Sequence, residues 1–270
     1  MARASGIYRS CDVGTIWEDA LASLERRERF AVTALAAADG LIVAGANGAV
    51  LRSSDDGASW QITPLPAPPP NVVVLAVSPN FHDDGLIAAG TAEDGVFVST
   101  DRGANWIPWN FGLIDLHVNA LATSPQFARD RTIFAGTESG VFRSHNGGRA
   151  WREAAFPMEF SPVLSLAVTA NGRLFAGSES HGAFASDDGG ANWRQIPCVS
   201  DAAVNAIHVA DSRVWLLFDE ALAVSGDEGE TWVSDPRLLP SGKLAMALLP
   251  FPSSGAALIG FADGDLLQLS

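Results

Sequence analysis

The chain has 270 residues, 47% of them hydrophobic. At that size roughly 70–75% of the unfolded surface can be buried on folding, so the core needs no disulfide or metal staple. Lys and Arg total 17 against 31 Asp and Glu, a formal charge of −14, and no basic run offers a phosphate backbone a seat, which excludes nucleic acid as a partner.

Two readings of that charge stand side by side: plain solubility, and attraction for a basic partner or a cation. Met1–Ser10 holds no apolar stretch of signal-peptide length, and no segment approaches the length of a membrane span. A cytoplasmic protein with no membrane insertion is therefore expected. Cys11 and Cys198 are the only cysteines. They make no disulfide framework and no metal-ligand spacing, so free thiols are expected and neither metal nor cofactor is.

In chain order, the pattern Ser-x-Asp-x-Gly-x-x-Trp opens at Ser10, Asp12, Gly14 and Trp17. The next stretch, Glu18 to Arg29, is the one segment with a hint of helical period. The pattern returns at Ser53, Asp55, Gly57 and Trp60, then at Ser99, Asp101, Gly103 and Trp106. It continues at Ser144, Asn146, Gly148 and Trp151, at Ser186, Asp188, Gly190 and Trp193, and at Ser225, Asp227, Gly229 and Trp232. Successive tryptophans are 43, 46, 45, 42 and 39 residues apart, the length of four short strands with their turns.

The text between boxes reads as strands. In the third unit an apolar stretch, Val118 to Ala122, leads to a second, Thr132 to Ala135. A tight turn at Glu138-Ser139-Gly140 follows, then a third strand, Val141 to Arg143, which delivers the box; the stretch after Trp151 makes the fourth. Full units begin near Val32, Val72, Val118, Val163 and Val204, and a last one near Leu244 stops at Ser270 without a box. The first box has no first or second strand before it. Residues 1–30 are thus expected to complete the last blade, whose inner strands come from 244–270, giving one domain over 1–270. Ile7 to Arg9 and Leu266 to Leu269 both align with a third strand, one too many. The expected fold is an all-β propeller of six four-stranded blades, with seven as the alternative count.

Each box position has a chemical reason. Short oxygen-bearing side chains satisfy backbone N–H groups inside a turn, and Gly takes the positive φ that closing it requires. Trp supplies an apolar plate and an N–H that still finds an acceptor.

The boxes resemble the bacterial neuraminidase repeat, or Asp box, of sialidase-like propellers, sortilin-type receptors and photosystem II assembly factors. The surrounding text is most similar to the assembly factors, in Leu121-Ala122-Thr123-Ser124-Pro125, Ile133-Phe134-Ala135-Gly136-Thr137 and Gly140-Val141-Phe142-Arg143-Ser144. The resemblance covers essentially the whole chain. It implies that the boxes join third and fourth strands on the outer rim, opposite the usual ligand face, and are structural. It argues for fold far more than for activity.

The ligand face would then come from the turns between strands two and three and from the connections into each first strand. The first set carries Glu93, Asp94, Glu138, Glu179, Asp219, Glu220, Asp263 and Asp265, solvated carboxylates or a ring that draws cations or a basic partner. The second carries Trp109, Phe111, Asp115 and His117, then Phe156, Glu159 and Phe160, with Asp201 beyond. Trp109 and Phe111 suit either a binding groove or a seal between blades, and His117 suits a hydrogen-bonded channel position.

A sialidase resembling the repeat's namesakes needs a tyrosine nucleophile and an arginine triad. This chain has one tyrosine, Tyr8, on an outer strand, and no arginine or carboxylate on its six innermost strands. The expected function is a non-enzymatic scaffold that presents loops to a protein or peptide, binding through Trp109, Phe111, Asp115, His117, Glu138, Glu159, Phe160 and Glu179. The alternative is a carbohydrate-active module using Asp115, Glu159 and Asp201 as its carboxylates. The xyloglucan-acting enzymes that share the repeat use two propellers, and one ring of this size is half of that.

Overall fold

The computed structural model describes residues 2–3, 6–12, 16–22, 24, 31–158, 161–197, 202–234, 239–251 and 256–269. At the start, β1 (Ala2–Arg3), β2 (Gly6–Arg9) and β3 (Glu18–Asp19) form a three-stranded antiparallel sheet. Of the stretch with helical period, residues 18–19 are therefore strand and 20–22 turn, and 25–30 lie outside the described residues.

Five complete blades follow, each an antiparallel meander of four strands. The first is β4 (Val32–Ala38), β5 (Leu41–Ala46), β6 (Ala49–Ser53) and β7 (Gln61–Pro64). The second is β8 (Val72–Val77), a one-turn helix α1 (Phe81–Asp84), β9 (Ile87–Thr91), β10 (Val96–Ser99) and β11 (Ile107–Pro108). The third repeats this with β12 (Val118–Thr123), α2 (Phe127–Asp130), β13 (Ile133–Thr137), β14 (Gly140–Ser144) and β15 (Arg152–Glu153). The fourth is β16 (Val163–Val168), β17 (Leu174–Ser178), β18 (Ala183–Ser186) and β19 (Arg194–Gln195). The fifth is β20 (Val204–Ala210), β21 (Arg213–Phe218), β22 (Leu222–Ser225) and β23 (Val233–Ser234). The chain ends in a three-stranded sheet, β24 (Ala245–Phe251), β25 (Ala256–Phe261) and β26 (Leu266–Leu269).

The molecule is a six-bladed β-propeller, with five complete blades and both chain ends at the closing position. The surplus third strand is real, since β2 and β26 both form. Counting hydrogen-bonded sheets among the described residues, instead of four-strand units, gives seven. First strands begin at Val32, Val72, Val118, Val163 and Val204 as expected, and the last begins at Ala245, one residue after Leu244.

Six apolar clusters hold the ring, each bridging two neighbouring sheets. Their geometry depends on one position in the second strand. Every first strand carries a register shift just after its opening residue. The residue paired beyond that bulge is Gly45, Gly90, Gly136 or Gly177 in the first four blades. A Cβ there would lie 2.4 Å from Val72 Cγ1, 2.6 Å from Val118 Cγ1, 2.7 Å from Val163 Cγ1 and 2.6 Å from Val204 Cβ respectively. The glycine is a socket, and the opening valine of the next blade fills it.

The boxes are hydrogen-bonded latches. Ser186 Oγ donates to Asp188 Oδ1 at 2.9 Å and accepts the Gly190 N–H at 2.8 Å. Asp188 Oδ1 accepts the Asn192 N–H at 2.8 Å, and Oδ2 accepts Asn192 Nδ2 at 2.7 Å. Ser53, Ser99, Ser144 and Ser225 make the same bond to the box glycine. Where Asn146 replaces Asp, its Oδ1 still takes the Ser144 hydroxyl and the Ala150 N–H, both at 2.9 Å. In the first box Ser10 donates to Asp12 at 2.7 Å, while Gly14 lies outside the described residues. Box glycines adopt positive φ, as at Gly103 with φ +80°. Trp106, Trp193 and Trp232 donate Nε1–H to their own box glycine, and Trp60 and Trp151 donate to Ala20 and Trp109 of the preceding unit.

Candidate functional site

The latches occupy the strand-three to strand-four corners, so the two-three turns and the connections into each first strand share the other end of the blades. There the structure brings Asp115, His117 and the Glu138-Ser139 turn together. The Asp115 side chain is 12% exposed. Its Oδ1 lies 3.1 Å from both the backbone N and Nδ1 of His117, and its Oδ2 accepts the Ser139 N–H at 2.7 Å. Burial works to raise the Asp115 pKa. Hydrogen bonds from the His117 N–H, Ser139 and Thr137 outweigh it and hold the carboxyl below its ordinary value. Asp115 is thus an ionised clip that ties the incoming loop to its own blade's turn, and both of its oxygens are engaged.

Equivalent clips recur with other chemistry. In the second blade Asn110 Oδ1 accepts the Val96 N–H at 2.8 Å and its Nδ2 donates to the Asp94 carbonyl at 2.9 Å. Ser161 lies 3.2 Å from His181 Nδ1 in the fourth blade, and Asn205 donates to Asp219 at 2.8 Å in the fifth. At the C-terminal sheet Lys243 pairs with Asp263 at 2.9 Å and with Asp265. Several ring carboxylates are thereby occupied. Glu93, Glu138 and Glu179 are exposed and Asp94 is half-buried, and none of the four makes an ion pair among the described residues.

The aromatic candidates part company. Trp109 is half-buried against the cluster that joins the second and third blades, with the Arg149 guanidinium 5.1 Å from its ring centre. Phe156 packs edge-on between Phe184 and Trp193, at 5.1 and 5.3 Å. Both are inter-blade seals. Phe111 is 81% exposed and bridges to Ala150, beside the latch of the third blade. It lines a 490 Å³ recess with Arg143, His145, Asn146, Ala150, Trp151 and Arg152. Phe111 therefore belongs to the rim, apart from the face that carries His117 and Glu138. Glu159, Phe160 and Asp201 lie outside the described residues. Sequence reasoning passed over Arg143 and Arg152, whose significance comes only from cross-strand pairing.

Latched antiparallel units in a ring, with clipped loops gathered at one end of the blades, define the class: a loop-presenting β-propeller. No protein-family model and no curated protein sequence matches the chain. Solved structures do match. YCF48 bound to D1 peptide superimposes with a TM-score of 0.74 at 20% identity, covering 100% of this chain and 86% of that one. YCF48 from Cyanidioschyzon merolae matches at 0.52 and 16%, over 89% of this chain and 95% of that one. The GH74 enzyme of Niastella koreensis matches at 0.81 and 15%, over 99% of this chain, which spans about half (49%) of that enzyme's length. At these identities the likeness is one of fold.

The expected cytoplasmic location is corrected by this comparison. The likeness to YCF48 does not uphold it, and the first ten residues of the given sequence carry no information on its compartment. No helix among the described residues is long and apolar enough to cross a membrane.

Proposed function

We propose that this chain is a non-enzymatic propeller that binds a protein or peptide on the face formed by its two-three turns and inter-blade loops. The observation that carries the reading is the full-length likeness to a propeller seen with a bound peptide. The unpaired carboxylates Glu93, Asp94, Glu138 and Glu179, on three successive blades, favour a basic partner. In this reading the repeats are Asp boxes serving as latches. Residues 1–30 and 244–270 jointly form the closing blade of one domain over 1–270. Binding on this face falls to His117, Glu138 and Glu179, with Asp115 holding the loop and Trp109 sealing the blades beneath it; Glu159 and Phe160 are assigned to the same function by their place in the sequence, and Phe111 belongs to the rim.

The fold likeness to a GH74 enzyme supports a second reading, glycoside hydrolysis through Asp115, Glu159 and Asp201. It is weakened by Asp115 itself, whose two oxygens are taken by its own loop and turn. A general acid also needs a raised pKa, and this one is lowered. Titration with a fluorescent Lys/Arg-rich decapeptide separates the readings. Saturable binding that falls at least tenfold in the Glu93→Gln, Glu138→Gln, Glu179→Gln triple variant supports the scaffold. Binding that ignores the triple variant, together with xyloglucan hydrolysis lost in Asp115→Asn, overturns it.

A further inference from the structure

The third blade holds a pairing that its siblings avoid. The residue just before each box serine lies directly opposite the first residue after the box tryptophan. In the N-terminal sheet this pair is Arg9 and Glu18, joined at 3.5 Å. In the first blade it is Arg52 and Gln61, with Arg52 Nη2 donating to Gln61 Oε1 at 3.0 Å. The second and fifth blades pair Val98 with Ile107 and Val224 with Val233, and the fourth pairs Ala185 with Arg194. In the third blade Arg143 faces Arg152. Like charges directly opposite each other on an antiparallel pair are destabilising.

Among the described residues no carboxylate pairs with either arginine. Arg143 donates to the Gly189 carbonyl at 2.5 Å, a neutral acceptor. Glu153 follows Arg152 on the strand and so projects from the opposite face. His145 lines the same recess, its Nδ1 3.0 Å from Thr132 Oγ1, and the positive charge there is that of the two arginines. Burial lowers its pKa, and the Arg143 and Arg152 charges push in the same direction against Asp130. A local positive field thus survives on a chain whose net charge is −14.

Arg143 and Arg152 line a 490 Å³ recess together with Ala150, Trp151 and the 81% exposed Phe111. Arginine beside an exposed aromatic is the composition of a binding hot spot. A guanidinium pair without an internal anion suits a carboxylate, which accepts parallel N–H bonds from Arg. The volume admits one or two residues of an extended chain. A polyanion fits badly, because the rest of the molecule repels it.

We propose that the Arg143–Arg152 recess is a second, rim-side binding site for a peptide carboxylate carried next to an apolar side chain, with the carboxylate between the arginines and the side chain against Phe111 and Trp151. The site is separate from the acidic face and its test does not depend on it.

The probes are three acetylated, fluorescein-labelled hexapeptides of otherwise neutral sequence: one ending in Leu with a free carboxylate, one amidated, and one amidated with Glu next to Leu. Anisotropy titrations against the full chain are expected to show saturable binding of at least one acid-bearing peptide. The amidated neutral peptide should bind at least tenfold more weakly. The better of the first and third identifies whether the carboxylate is terminal or a side chain. Arg152→Gln and Phe111→Ser should each weaken binding at least tenfold. Arg152→Glu recreates the Arg–Glu pairing of the N-terminal sheet, so it should abolish binding while raising the melting temperature. Equal binding of the neutral peptide, no binding of any, indifference to Arg152→Gln, or tighter binding of an oligothymidylate overturns the proposal.

Discussion

The box serine shows how one side chain fixes a corner. Ser186 is 1% exposed, and its hydroxyl serves the Asp188 carboxylate and the Gly190 N–H at once. Ser186→Ala leaves a buried N–H without an acceptor, which costs about 1–3 kcal/mol; urea unfolding of the variant measures it. The box aspartates carry a pH dependence. Hydrogen bonds, led by the neighbouring side-chain donors Ser59, Asn192 and Thr231, lower Asp55, Asp188 and Asp227 from 3.8 to about 2. A depressed folded-state pKa stabilises the native state above the unfolded value and loses that contribution as pH falls through the folded one. The melting temperature is therefore expected to decline between about pH 4 and pH 2, and Asp188→Asn should make the decline shallower. An equal slope in variant and wild type would show that the carboxylate bonds contribute nothing. The box was legible in the sequence because every partner lies within a few residues. The role of Asp115 was not, since its second partner, Ser139, is 24 residues away and met only through the blade.

At the scale of the strand, the glycine socket explains a compensation that no single residue reveals. In the fifth blade the socket position is Leu217, and the next first strand opens with Ala245 instead of valine, both fully buried in one cluster. Volume moved from one side of the contact to the other. Ala245→Val should therefore overpack this interface and cost about 1–3 kcal/mol. Gly136→Ala should cost a similar amount against Val163. Gly260 occupies the same position in the C-terminal sheet, yet its added Cβ would meet only Ala247 at 3.5 Å and Leu266 at 3.8 Å. Gly260→Ala should be near neutral, and thermal melts of the three variants check the ranking. First-strand starts were readable because five of them open on a buried valine at the head of an apolar run. The one-turn helices α1 and α2 went unread, since four residues cannot display a helical period.

For the whole molecule the informative place is the closure. Clusters of buried side chains join every successive pair of sheets from the N-terminal one round to the C-terminal one. Among the described residues no such cluster joins those two end sheets; a 370 Å³ cavity touches both, lined by Tyr8 and Trp17, by Leu35, Ile42 and Trp60 of the first blade, and by Leu249, Phe251 and Leu258. The sequence pointed to this place through its two competing third strands, but pattern alone cannot say whether such strands exchange or coexist. The N-terminal sheet is secured on its other side. Ile7 and Ala20 are buried with Leu51 and Trp60, and Trp60 Nε1 donates to the Ala20 carbonyl at 3.0 Å. Deleting residues 1–24 uncovers that cluster and strands the indole N–H, so the first blade should lose at least about 3 kcal/mol. Trp60→Phe in the full chain removes the hydrogen bond while keeping most of the plate, and should cost less than the deletion. Hydrogen exchange separates the two effects. The deletion should accelerate exchange across β4–β7 and leave β12–β19 close to wild type, because each sheet is held by its neighbours alone. Uniform acceleration around the ring would instead mean that the N-terminal sheet fastens all the blades together.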